Sequence, residues 1–107
     1  MFCKSYNDFF QTLANPTNQT IIQELLKKSL SVMQIVQLTG IEQSLVSHSL
    51  KKMYDCKIVT FKRNGKQKIY SLNKNTILPI LKIVDSHAKK MCPKCLKLSS
   101  KKSNKLL

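Results

Sequence analysis

Apolar residues at Tyr6, Phe9, Phe10 and Leu13 recur at i, i+3, i+4 and i+7, the spacing of one helical face. Asn15-Pro16-Thr17 ends that helix and starts the next, with Asn15 as cap and Pro16 at the first helical position, where its missing N–H costs nothing. Ile21, Ile22, Leu25 and Leu26 form a second stripe that runs out near Lys28. Ser31-Val-Met-Gln34 has the form of a capping box and Gly40 sits where a helix ends in a left-handed residue, which predicts a short helix over 32–39. Met33 reads as a core side chain of that helix.

From Gln43 to Asp55 the apolar positions Leu45, Val46, Leu50 and Met53 face one way. Two neighbouring rows, Gln43, Ser47, Lys51 and Ser44, His48, Lys52, face the other. Ile58 to Lys62 and Gln67 to Leu72 are β-branched and aromatic runs around Asn64-Gly65, the signature of a hairpin with a two-residue turn. This gives a two-stranded ribbon, with strand alternation directing Lys66 and Lys68 to one face. Thr76 caps a last helix over 77–91, with Pro79 tolerated in its first turn. The apolar residues of that helix wrap more than one face, so one face covers this domain and another calls for a partner.

Composition sharpens the picture through charge. The chain has 107 residues, room for one domain, and a net charge of +14. Lys4, Lys27 and Lys28 balance Asp8, Glu24 and Glu42, so the whole excess lies in residues 51–107. A general enrichment in lysine has no reason to stop at the midpoint, and a surface facing a polyanion accounts for the asymmetry. Double-stranded DNA is favoured over membrane, because no basic amphipathic helix stands out. No apolar run is long enough to span a bilayer and no signal peptide is recognisable, so a cytoplasmic protein is expected.

Helix, short turn, helix, then a hairpin with a cationic tip is the order of a winged helix-turn-helix. The fold class is therefore mainly α with a small β-hairpin wing. Lys62, Arg63, Lys66 and Lys68 on the wing, with Lys51 and Lys52 on the helix, are placed to neutralise phosphates. Gln43, Ser44, Ser47 and His48 carry the donors and acceptors that read base edges. A solvated turn and an ordinary surface histidine are the plain alternatives for the wing tip and His48. No carboxylate pair suited to acid–base chemistry is evident, and two glycines cannot build a phosphate-cradling loop, so no enzyme is expected.

The segments FFQTLANPTNQTIIQELL, LSVMQIVQLTGIEQSLVSHSLKKM and IVTFKRNGKQKIYSLN resemble the ArsR/SmtB family of small winged-helix repressors, across residues 6–91. The matching positions are Leu13, Ala14, Pro16 and Thr17, then Gln43, Val46, Ser47 and His48, with Ser49-Leu50 where the family has a second His-Leu. The resemblance implies a homodimer built through the first and last helices, binding an operator of approximate twofold symmetry and released by a ligand. It also marks departures. Ser31 and Met33 stand where many members carry the two cysteines of a thiophilic-metal sensor, and a hydroxyl with a neutral thioether cannot replace two thiolates. Asn18 replaces a frequent Arg. Lys57 replaces the usual helix-ending Gly, which calls either for a strained positive φ or for a different turn.

Asp85-Ser-His87 has the form of the family's zinc-binding pair on the last helix, but its expected later ligands fall on Leu98 and Lys101. Cys92-Pro-Lys-Cys95 offers half of a tetrahedral zinc site, to be completed by His87, Cys3 or the same turn of a second subunit. Two plain or redox-active thiols are the alternative, and Cys56 reads as space-filling. Residues 1–92 are taken as the DNA-binding and dimerisation domain, and 93–107 as a flexible basic tail. The function expected is a sequence-specific regulator, a repressor, without the Cys-x-Cys sensing element. The alternative is a non-specific architectural DNA-binding protein.

Overall fold

Asn15 separates the first two helices: its backbone is extended and its side chain accepts from the Asn18 amide at 3.1 Å, with Pro16 next in line. The computed structural model describes residues 4–91, which form two units divided after Asn73. The first contains α1 (Lys4–Ala14), α2 (Pro16–Leu25), β1 (Leu30–Ser31), α3 (Val32–Thr39), α4 (Gln43–Asp55), β2 (Val59–Asn64) and β3 (Gln67–Leu72). The second contains α5 (Ile77–Met91).

The first unit is built on Ile21, Leu25, Leu30, Ile35, Val46, Leu50, Met53, Ile58 and Val59, each essentially removed from solvent. These residues come from every element between α2 and β2, so burial of their apolar surface is what assembles the helix pair onto the sheet. Asn18 joins α1 to α2, its Nδ2 donating to the Thr12 carbonyl at 2.9 Å.

The capping box at α3 forms as expected. The Gln34 amide donates to Ser31 Oγ at 3.3 Å, and the Ser31 amide donates to Gln34 Oε1 at 2.9 Å. Gly40 ends α3 at φ 73°, its amide donating to the Val36 carbonyl at 2.9 Å.

Several expectations are corrected. The sheet has three strands in the order β1-β3-β2, because Leu30 and Ser31 pair with Tyr70 and Ile69; the two-stranded ribbon gains a short third member. The hairpin turn is Gly65-Lys66, not Asn64-Gly65, since Asn64 pairs with Gln67. Only Gly65 there has a positive φ, 65°, and glycine at the first central position is a known hairpin solution. Lys66 thus lies in the turn, where strand alternation no longer sets it beside Lys68. Met33 is 46% exposed and is not a core residue. Leu45 is 44% exposed, and Ser49 takes the inward position instead.

Lys57 carries the positive φ left open by the sequence, at 63°. It occupies the left-handed position of a complete Schellman ending to α4. The Ile58 amide donates to the Met53 carbonyl at 2.8 Å and the Lys57 amide to the Tyr54 carbonyl at 3.0 Å. Met53 and Ile58, both fully buried, supply the apolar contact that accompanies the motif. In the second unit, Lys89 Nζ lies 3.0 Å from Asp85 Oδ2 one turn earlier, and Lys89 and Lys90 in the last turn suit the helix dipole. No helix among the described residues is long and apolar enough to cross a membrane.

Candidate nucleic-acid interface

The second helix of the pair, α4, buries Val46, Ser49, Leu50 and Met53. Its opposite face presents Gln43, Ser44, Ser47, His48, Lys51 and Lys52, all exposed. The inner row fixes the rotation of the helix and so delivers the polar rows to solvent as two adjacent stripes. Thr39 secures the turn before α4, its Oγ1 donating to the Ile35 carbonyl at 2.7 Å and accepting from the Ile41 amide at 3.2 Å.

Glu42, immediately before α4, was not singled out by the sequence pattern. The Ser44 hydroxyl donates to Glu42 Oε1 at 2.7 Å, leaving Ser44 as an acceptor and placing a carboxylate at the helix N-terminus, where the dipole favours it. A carboxylate at this end can accept from a cytosine amino group. His48 and Lys52 also open onto a polar hollow of about 290 Å³ shared with Gln11, Asn15 and Thr17 from the α1–α2 junction. The Asn-Pro-Thr break, extended at Asn15, is the sequence signal for that hollow, read only as a helix boundary.

The wing is tied to α4 by a series of tilted rings. Phe61 of β2 lies 5.0 Å from Tyr54 of α4 and 5.5 Å from Tyr70 of β3, centre to centre. Lysines sit over two of these rings, Lys57 Nζ 5.2 Å from the terminal Tyr54 ring and Lys68 Nζ 4.8 Å from the central Phe61 ring. Burial pushes the Tyr70 phenol up from its ordinary value, and the charge of Arg63 offsets part of that. Lys62, Arg63, Lys66 and Lys68 are all exposed. Among the described residues none of them makes an ion pair.

The structure therefore brings together the helix face and the wing cations expected from the sequence. The expected metal ligands fall largely outside what it describes. His87 is exposed on α5, while Cys3, Cys92 and Cys95 lie outside the described residues. No cluster of His, Cys, Asp and Glu suited to a metal ion occurs among the described residues.

A family model for bacterial regulatory proteins of the arsR family matches residues 15–60, from the α1–α2 junction to the start of β2. The chain is also 35% identical over 79 residues to the transcriptional repressor PagR of Bacillus anthracis, a match covering 73% of this chain and 79% of PagR. The chain belongs to the arsR family. The crystal structure of PagR superposes with a TM-score of 0.65 at 34% identity, covering 76% of this chain and 93% of that one. A transcriptional repressor SmtB homolog from Synechocystis sp. is 28% identical over 80 residues, 75% of this chain but only 61% of that relative's length. A homodimeric winged helix-turn-helix DNA-binding domain from Mycobacterium bovis shares the fold at a TM-score of 0.75 and 19% identity, covering 84% of this chain and 83% of its own. As an arsR-family member with this architecture, the chain is a winged helix-turn-helix DNA-binding transcriptional regulator.

Proposed function

We propose that the chain is a homodimeric, sequence-specific repressor that seats α4 in the major groove of an operator and grips the flanking backbone with the wing. The observation that carries this reading is the α4 face. Gln43, Ser47 and His48, uncharged hydrogen-bonding groups, stand exposed beside Lys51 and Lys52, and the Tyr54–Phe61–Tyr70 ring series fixes the cationic wing relative to them. A protein that only neutralised phosphates would have no use for that uncharged face.

A homodimer through α1 and α5 is supported by what each helix presents. Tyr6 and Phe10 are exposed on α1, and Ile83 and Val84 on α5; exposed apolar clusters of this kind mark association surfaces. In this reading residues 1–92 serve DNA binding and dimerisation in the cytoplasm, and 93–107 add a basic tail. Cys92 and Cys95 remain the candidate zinc ligands, with His87 near them in sequence. Zinc content of protein purified under reducing conditions, wild type against Cys95→Ser, tests that assignment: equal, sub-stoichiometric metal in both removes it.

The test of the main reading is an electrophoretic shift with genomic fragments at two salt concentrations. Retained preference for one inverted repeat at high salt is the expected result. Uniform loss across all fragments supports the architectural alternative.

A further inference from the structure

Between the first turn of α3 and the turn-proximal end of β3 lies an open groove of about 280 Å³. It exists because β1 is only two residues long. Pairing along the outer edge of β3 stops at Ile69, where the chain leaves the sheet at Ser31 and enters α3. Val32 and Met33 form one wall; Arg63, Lys66 and Lys68 form the other.

Charge and apolarity meet here in an unusual way. Arg63 and Lys68 are directly opposite each other in the β2–β3 ladder, a like-charge placement that destabilises a sheet when nothing neutralises it. No acidic residue occurs anywhere between Cys56 and Val84, so the neutralising anion has to come from outside this segment. The facing wall is different in kind. Met33, 46% exposed as a residue, brings a polarisable apolar side chain beside those cations, a surface that a hydrated inorganic anion has no means to cover. The volume sits near the lower end of small-molecule sites, about 300 Å³, which suits a small organic molecule rather than a folded partner.

We propose that this groove binds a small amphipathic anion, a carboxylate or phosphate ester carrying an apolar chain. Its head group lies among Arg63, Lys66 and Lys68, and its chain covers Met33 and Val32. The regulatory consequence rests on the DNA-binding reading above: the same three cations meet the operator backbone, so anion and DNA compete and each weakens the other's binding.

The site is tested without DNA. Full-length protein carrying 13C-methyl methionine is titrated with octanoate, octyl phosphate, octanamide, acetate and inorganic phosphate, following the Met33 methyl signal by NMR. Saturable shifts of Met33 with octanoate or octyl phosphate are expected, and whichever of the two binds more tightly identifies the head group. Octanamide, acetate and inorganic phosphate should each bind about tenfold more weakly, as should octanoate to Lys66→Glu. No Met33 response to either octyl anion, equal binding of acetate and octanoate, or equal shifts at every methionine overturns the proposal.

A second arm measures DNA affinity with and without octanoate. Octanoate should weaken DNA binding by wild type and require a higher concentration to do so with Met33→Gln. Protein that takes octanoate but binds no DNA keeps the groove and discards the regulator. Protein that binds DNA while Met33 ignores both octyl anions does the reverse.

Discussion

The amide of Ile58 donates to the carbonyl of Met53 at 2.8 Å, closing α4 and turning the chain directly into the wing. The residue between them, Lys57, absorbs the change of direction at φ 63°, a conformation that costs a residue with a Cβ roughly 1–2 kcal/mol. Glycine relieves that strain but gives up the Lys57–Tyr54 contact and gains freedom in the unfolded chain. Lys57→Gly is therefore expected to raise stability by about 0.5–1 kcal/mol, measured by urea denaturation with an unchanged m value.

Ser31→Ala removes the acceptor for the Gln34 amide and disrupts the capping box, in a residue that is nearly buried. A loss of about 1 kcal/mol is expected. Ser31→Asp, which restores a capping oxygen, should recover less than Ser31→Thr, because the site lies within the sheet. Thermal melts of the three variants check the order.

Phe61→Leu keeps an apolar side chain but removes the ring shared by Tyr54, Tyr70 and Lys68. Each lost ring pair is worth about 0.5–1.5 kcal/mol. The expected result is a destabilisation of about 1–2 kcal/mol and faster hydrogen exchange in β2 and β3 than in α2.

On DNA, Lys66→Ala should weaken binding to every sequence alike and reduce the salt slope by about one. Gln43→Ala or Ser47→Ala should instead blur preference at particular base pairs while leaving the slope unchanged. Quantitative shifts over a salt series with single-base operator variants separate the two patterns, and their exchange would reverse the assigned roles.

The Tyr70 phenol ionises above its ordinary value of 10.0 because burial disfavours the phenolate. The unfolded chain thus releases this proton first as pH rises. The stabilisation from the neutral form is complete below about pH 10 and is lost as pH climbs through the raised folded value. Tyr70→Phe should remove this component, so the gap in stability between variant and wild type shifts in the variant's favour across that range.

Much of this architecture was legible because local chemistry and burial agree. The polar rows of α4, the Ser31–Gln34 capping box and the Gly40 stop each rest on residues close together in sequence. What misled was non-local. Asn64-Gly65 is the stronger turn signal, but a turn there would set Phe61 opposite Lys68. The observed register sets Phe61 opposite Tyr70 and Val59 opposite Leu72, and these apolar pairs outweigh turn preference. β1 was invisible for the same reason: it is two residues long and its partners lie about forty positions on. Leu45 fitted the apolar stripe, yet the inward place went to Ser49, whose small hydroxyl is nearly buried. The groove beside Met33 left no mark at all, since it depends on where β1 stops.

Ser31 belongs to two elements at once, paired in the sheet opposite Ile69 and capping α3. It works as a hinge pin: a push on the head of α3 cannot be absorbed there and is handed on to β3, and through β3 to the wing. In the DNA-binding reading proposed above, anything held against α3 would need no long relay to alter the wing, because the two share a single joint.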